Sequence, residues 1–190
     1  MQNPFVRWNI WAIACICSIS LLIFGWTSNA IADEEMASRG EVLIYSTEAS
    51  PELLGNATFV PMDDELQVNV TLSDVPSGYH GFHIHEFGSC DDGGSAAGGH
   101  FNPLETQHGY LPKEGLNNAH AGDLGNILIF SDGSGTLQET LPDMPLAEGE
   151  LAIAGHAVIL HAERDDFGQP TGNAGGRLAC GIIEVAGQTE

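Results

Sequence analysis

Along residues 66–72 apolar and polar positions alternate without a break, Leu-Gln-Val-Asn-Val-Thr-Leu. That period places Leu66, Val68, Val70 and Leu72 on one face of a strand and the polar residues on the other. Shorter β-type runs recur at Glu41–Ser46, at Asn56–Val60 (ending on Pro61), at Gly81–Phe87, Asn126–Phe130, Thr136–Thr140, Ala157–His161 and Arg177–Val185. Asp132-Gly133-Ser134-Gly135 between two of them is a hairpin signal. Helical periodicity is scarce after residue 40. Short strands between Gly-rich turns predict an all-β domain over residues 41–187, an eight-stranded antiparallel sandwich or flattened barrel. No internal repeat or second domain is evident.

Two long Gly-rich stretches interrupt the strands, from Gly88 to about Gly125 and from Ala162 to Gly176. Compact domains rarely carry structureless loops of that length unless the loops are functional or held in place. Each follows a histidine-bearing strand.

The first 32 residues read differently. Arg7 is their only charge, the run from Ile10 to Trp26 is apolar apart from Ser18 and Ser20, and Ala30-Ile31-Ala32 precedes Asp33. Charge, apolar core and small-x-small site describe a secretory signal peptide at 1–32, with 33–40 as a linker. The alternative is an uncleaved membrane anchor through residues 8–28, since the run approaches the roughly 20 residues that cross a bilayer. Either way the domain is expected outside the cytosol, periplasmic or extracellular, and it meets a membrane only if the leader stays.

The formal charge is −21, which argues against nucleic acid as a partner. Of four cysteines, Cys15 and Cys17 lie in the leader and Cys90 and Cys180 in the domain. An even pair in an exported chain reads as a disulfide, with two buried thiols as the alternative. Asn56-Ala-Thr and Asn69-Val-Thr match a glycosylation pattern that matters only in a glycosylating host.

The histidines carry the chemistry. His83 and His85 are two apart on one strand, so both project from one face while Phe82 and Ile84 point into the core. His161 ends another apolar strand and is placed to complete a nitrogen-rich set of the kind that suits copper. The first loop adds His100, His108, His120 and Asp123, three imidazoles and a carboxylate that would close a tetrahedral zinc site. The residues alone leave two readings, a dimetal site or scattered loop histidines in a Gly-rich segment.

Four segments go further: Gly81-Phe-His-Ile-His-Glu-Phe-Gly, Gly99-His-Phe-Asn-Pro, His120-Ala-Gly-Asp-Leu-Gly-Asn and Gly172-Asn-Ala-Gly-Gly-Arg-Leu-Ala-Cys. In that order, and across residues 40–187, the chain resembles the Cu,Zn superoxide dismutases, whose fold is a Greek-key β-barrel. The resemblance implies copper at His83, His85, His100 and His161, and zinc at His100, His108, His120 and Asp123, with His100 bridging. It implies that Asp165 links the two sites by hydrogen bonds, that Arg177 docks the anion, and that Thr171 narrows the entrance. It pairs Cys90 with Cys180 and makes His80 a structural tie; His156 is expected to bind no metal. The implied reaction turns superoxide into dioxygen and hydrogen peroxide, with His100 carrying a proton. A homodimer is among the assemblies that the family adopts.

Three departures stand out. The segment 109–119 looks slightly long, the stretch between Asp165 and Thr171 looks short and lacks lysines, and the domain's cations are only Arg39, Lys113, Arg164 and Arg177. Attraction of an anion by net charge is therefore excluded, and steering has to be local. The rival reading is a copper-binding or copper-delivery protein on the same fold with little turnover; a histidine-bearing adhesion module is the third.

Overall fold

A computed structural model describes residues 39–187, so the expected leader at 1–32 and nearly all of the linker at 33–40 lie outside the described residues. The strands are β1 (Gly40–Ser46), β2 (Leu53–Met62), β3 (Glu65–Leu72), β4 (Gly78–His85), β5 (Asp123–Ile129), β6 (Gly135–Pro142), β7 (Ala157–His161), β8 (Arg177–Ile182) and β9 (Glu184–Val185). They pair in the order β2-β3-β6-β5-β4-β7-β8-β1, and β1 pairs again with β2. The eight strands thus close into an antiparallel barrel. The β3-to-β4 and β6-to-β7 connections pass over non-neighbouring strands, which makes the topology Greek-key.

The alternation read in β3 holds: Leu66, Val68, Val70 and Leu72 are buried. They meet Phe59, Phe82, Ile84, Leu124, Ile127, Ile129 and Leu141 in one contiguous core. Each such side chain contributes about 1.5–3 kcal/mol by leaving water, so the core is the main stabilising term.

Several strand limits differ from the sequence reading, and in three places hydrogen bonding explains the difference. β4 stops at His85, not Phe87, because Glu86 and Phe87 donate their N–H groups to Gly99 and Ala97 in the following loop. β5 begins at Asp123, not Asn126, because Asp123 still pairs with His83. The run 177–185 splits at Ile183, whose N–H turns away to the His156 carbonyl and whose own carbonyl accepts from Gly155; this split supplies a ninth strand.

The ladder between β4 and β5 slips between Gly81 and His83. Beyond His83 the first loop (residues 86–122) takes over the pairing. Phe101 donates to the Ile84 carbonyl, Gly122 to Phe101, and Ile84 to Gly122. A Cβ on Gly122 would run into the Ile84 carbonyl, so no other residue fits there. The loop carries a single 3-10 turn, Ser95–Ala97, and one short helix, α1 (Leu111–Glu114), opened by Pro112 and anchored by fully buried Leu111. A Cys90–Cys180 disulfide ties the loop to β8. His83 and His85 consequently lie under a lid: from His80 to His85, β4 is buried on both faces.

Candidate metal centre

Because β4 is extended, His83 and His85 share a face, and β7 lies beside it with Phe82 opposite Leu160 and His85 opposite Ala157. That register carries His161, the last residue of β7, to the same place. His100 arrives from the loop, where it bridges to His85. The expected residues therefore converge. His83, His85, His100 and His161 form one buried group and His100, His108, His120 and Asp123 another, each with ligand atoms within 4.8 Å of one another. His100 belongs to both, with its ring centroid 4.1 Å from His83 and 5.3 Å from His108.

Hydrogen bonds fix which nitrogen each ring turns inward. His85 donates its Nδ1–H to the Gly98 carbonyl at 3.0 Å, and His161 donates its Nδ1–H to the Gly175 carbonyl at 3.3 Å. Both Nε2 atoms are then bare lone pairs, yet they face each other at 3.3 Å. His83 uses Nε2–H on Asp165 at 2.8 Å, leaving its Nδ1 buried without a partner. Converging lone pairs with no proton between them repel unless a cation sits among them. Burial depresses His83, His85 and His161 to about 3, 2 and 4, so none holds that proton near neutrality.

The second group is organised around one carboxylate. Asp123 Oδ1 lies 2.8 Å from His100 Nδ1 and 3.1 Å from His120 Nδ1. Its Oδ2 accepts the backbone N–H groups of Gly109 and His120, each at 2.9 Å, which hold the carboxylate in place. His108 Nδ1 lies 2.9 Å from Oδ2 but out of line for a hydrogen bond, and is otherwise orphaned. Burial pulls His108 down, but the Asp123 and Asp165 carboxylates outweigh it and lift it to about 9. Burial pushes Asp123 up, and the three imidazoles reverse this and hold it far below the usual carboxylate range. Three nitrogens and one oxygen with no open position are the donor set of a structural zinc site. Both groups fit the metals that their chemistry suggests.

Asp165 joins the two. It accepts from His83 at 2.8 Å and from His108 Nε2 at 3.0 Å. Gly172 packs directly over this contact with φ of +75°, and any Cβ there would collide with the Asp165 carboxylate. Asn126 pairs with the Asp165 backbone, its Nδ2 donating to the carbonyl at 3.0 Å and its Oδ1 accepting the N–H at 2.8 Å.

Arg177 begins β8 opposite His161. Its guanidinium donates to the Gly94 carbonyl through Nη1 and to the Gly98 carbonyl through Nη2 at 2.5 Å. The Gly98 carbonyl therefore serves both His85 and Arg177. His80 spans the His161 and Pro76 carbonyls, a structural tie as the sequence suggested. His156 lies just before β7, with Nδ1 3.0 Å from the His85 carbonyl and its ring 4.2 Å from Phe101. Thr171 sits exposed in the turn before Gly172.

Sequence reasoning missed the carbonyls of Gly94, Gly98 and Gly175, which no side-chain pattern advertises. It also missed Tyr110, whose hydroxyl donates to Glu139 at 2.6 Å, and Gln169, which hydrogen-bonds the His108 backbone.

The comparisons with known proteins agree with this geometry. The family model described as copper/zinc superoxide dismutase matches residues 53–183. A superoxide dismutase [Cu-Zn] 2 from Brassica juncea is 45% identical over 127 residues, 63% of this chain and 81% of that protein. The crystal structure of the clock protein EA4 superposes with a TM-score of 0.68 at 34% identity, covering 86% of this chain and 99% of that one. A double mutant of a SOD-like protein from Bacillus subtilis gives 0.67 at 36% identity, covering 76% and 96%. With four converging histidines on one side of His100 and a closed zinc-type set on the other, the chain belongs to the copper/zinc superoxide dismutase family, as an oxidoreductase whose metals are copper and zinc.

Proposed function

We propose that the chain dismutates superoxide outside the cytosol, using His83, His85, His100 and His161 to hold copper and His100, His108, His120 and Asp123 to hold zinc. The observation that carries this assignment is His100, one imidazole common to two complete donor sets. Copper, when bound, supplies a one-electron couple, and zinc a fixed positive charge without redox chemistry.

The protein's residues do the rest. Arg177, held by two carbonyls, presents its remaining N–H groups to an anion. His100 Nε2 takes up a proton and returns it to the product while Nδ1 stays on the Asp123 side. Asp165 holds His83 and His108 in the tautomers that turn Nδ1 inward. Over a full cycle two superoxide anions and two protons give one dioxygen and one hydrogen peroxide.

Residues 1–32 serve in this reading as the export signal, and the two-cysteine domain gains its disulfide outside the cytosol. A homodimer fits the family habit. The first test is dismutation by the chain loaded with copper and zinc beside a His161→Ala variant. Fast turnover lost in the variant supports the assignment, whereas stoichiometric copper binding without turnover favours a copper-handling protein. Fractionation and N-terminal sequencing of the expressed protein test export; a chain starting at Met1 in the cytosol overturns it.

A further inference from the structure

The second loop (residues 162–176) is short and lacks lysines, yet it makes an arrangement of its own around His108. Gln169 Nε2 donates to the His108 carbonyl at 2.8 Å, and Gln169 Oε1 accepts the His108 N–H at 3.0 Å. A side-chain amide that satisfies both main-chain groups of one residue behaves as a strand partner and fixes that residue's backbone. Phe167 lies over the same residue, its ring 6.3 Å from His108 and inclined by 22°. Asp165 takes the ring's Nε2–H. Backbone, ring face and ring edge of His108 are thus all held by residues 165–169.

The same device recurs in Asn102, whose amide pairs with the Thr106 backbone, and in Asn126, whose amide pairs with the Asp165 backbone. Two amide clasps in series, Asn126 on Asp165 and Gln169 on His108, are connected by the Asp165–His108 hydrogen bond. Among the zinc-side residues, Asp123 stands on β5, and His100 is bridged to β4. His108 lies in no strand or helix, and its main-chain N–H and carbonyl both bond to Gln169. The side chain that sets where its Nδ1 points therefore comes from the other loop.

We infer that Gln169 is a positioning residue for zinc, clamping the His108 main chain so that Nδ1 stays aimed at the site and coupling zinc retention to the shortened second loop. This rests on the proposed zinc set. Loss of such an outer partner typically costs about 10–100-fold in metal affinity.

The test uses the full copper- and zinc-loaded protein and follows zinc release to a chromogenic chelator, with the visible spectrum of cobalt(II) at the zinc position as a second readout. Gln169→Ala is expected to hold zinc about tenfold less tightly and to alter the cobalt bands. Gln169→Glu, which accepts from the N–H but cannot donate to the carbonyl, is expected to fall between. Wild-type zinc retention and cobalt spectrum in both variants overturn the inference, as does a loss of metal-free stability with metal affinity unchanged. His108→Ala separates the two claims: if it keeps wild-type zinc affinity, the zinc set itself is wrong, and if it alone loses zinc, only the role of Gln169 is wrong.

Discussion

The two halves of the metal centre are built on different material. His83, His85 and His161 stand on β4 and β7, paired residue by residue, and their outward nitrogens meet carbonyls or Asp165. His100, His108 and His120 come from the 86–122 loop, and of their group only Asp123 stands on a strand. The barrel shapes the first group before any ion arrives. The second depends on fastenings: the disulfide, the backbone amides on Asp123, and the second loop. Rigid elements hold ligands more precisely than loops do, so redox chemistry is expected on the strand half and metal-dependent ordering on the loop half.

The largest effect expected is loss of turnover when the strand half is broken. His161→Ala should lower dismutation by about 10³-fold or more, since the family reaction runs near the diffusion ceiling. Its metal-free melting temperature should move little, because the buried imidazole that is lost faces a neighbouring lone pair at His85 Nε2 that repels it when no ion lies between them; pulse radiolysis and calorimetry read the two. Unchanged turnover would remove His161 from the site.

Reducing the Cys90–Cys180 bridge attacks the loop half. It spans 90 residues, and the chain-entropy model assigns such a closure roughly 4–5 kcal/mol. Urea unfolding of metal-free protein with and without reductant should show a loss of that order, with the loop ordering last on reoxidation. A loss below about 1 kcal/mol would mean that the loop is held by its other bonds.

Asp165→Asn sharpens the comparison, because Asp165 touches one histidine from each half. Zinc affinity should drop about tenfold or more and copper affinity less, since His83 also has strand pairing. Equal losses would show the halves to be one mechanical unit.

Acid distinguishes them again. Folding depresses His83, His85 and His161 from 6.5 to about 3, 2 and 4, so the unfolded chain binds protons that the folded one refuses. Their stabilisation is complete above 6.5 and declines as pH falls below it. His108, raised to about 9, acts oppositely: its contribution is present below 6.5 and is lost as pH rises through 9. Metal-free protein should unfold at lower urea at pH 5 than at pH 7. A midpoint that does not move would mean that the strand histidines are not neutral in the fold.

The smallest effect is on ionic strength. With a formal charge of −21 and Arg177 as the local cation, added salt should change turnover by less than about twofold up to physiological strength. A steep decline would point to long-range steering that this charge distribution does not provide.

Much of this was legible in the residues. The period of two in Leu66–Leu72 gave β3 and its inward face, and His83 and His85 two apart gave the strand platform. Arg177 and Cys180 stand in the motif segments, Asp165 followed from the resemblance those segments carry, and the even cysteine count suggested the disulfide by itself. Less accessible were the ends of β4 and β5, because the pairing of Asp123 with His83 and the donation from Phe87 to Ala97 depend on how the loop returns to the barrel. The same holds for Gln169 and the Gly98 carbonyl: a long-range amide clasp and a main-chain acceptor leave no local pattern.

Closure of the barrel has a consequence of another kind. A strand at the margin of an open sheet offers unpaired amides on which foreign chains can build. Here β1 is paired with both β2 and β8, and among the described residues the one addition outside the ring, β9, is two residues long and begins with Glu184. Among the described residues the sparsest junctions are β5–β6, joined at Ile129 and Gly135, and β1–β8, joined at two pairs; the other ladders of the ring are longer, and the chain's strong negative charge keeps neighbours apart. The exposed apolar residues of the outer wall, Leu43, Tyr45 and Ile182 among them, can therefore meet another molecule as side-chain surface without inviting strand-by-strand growth.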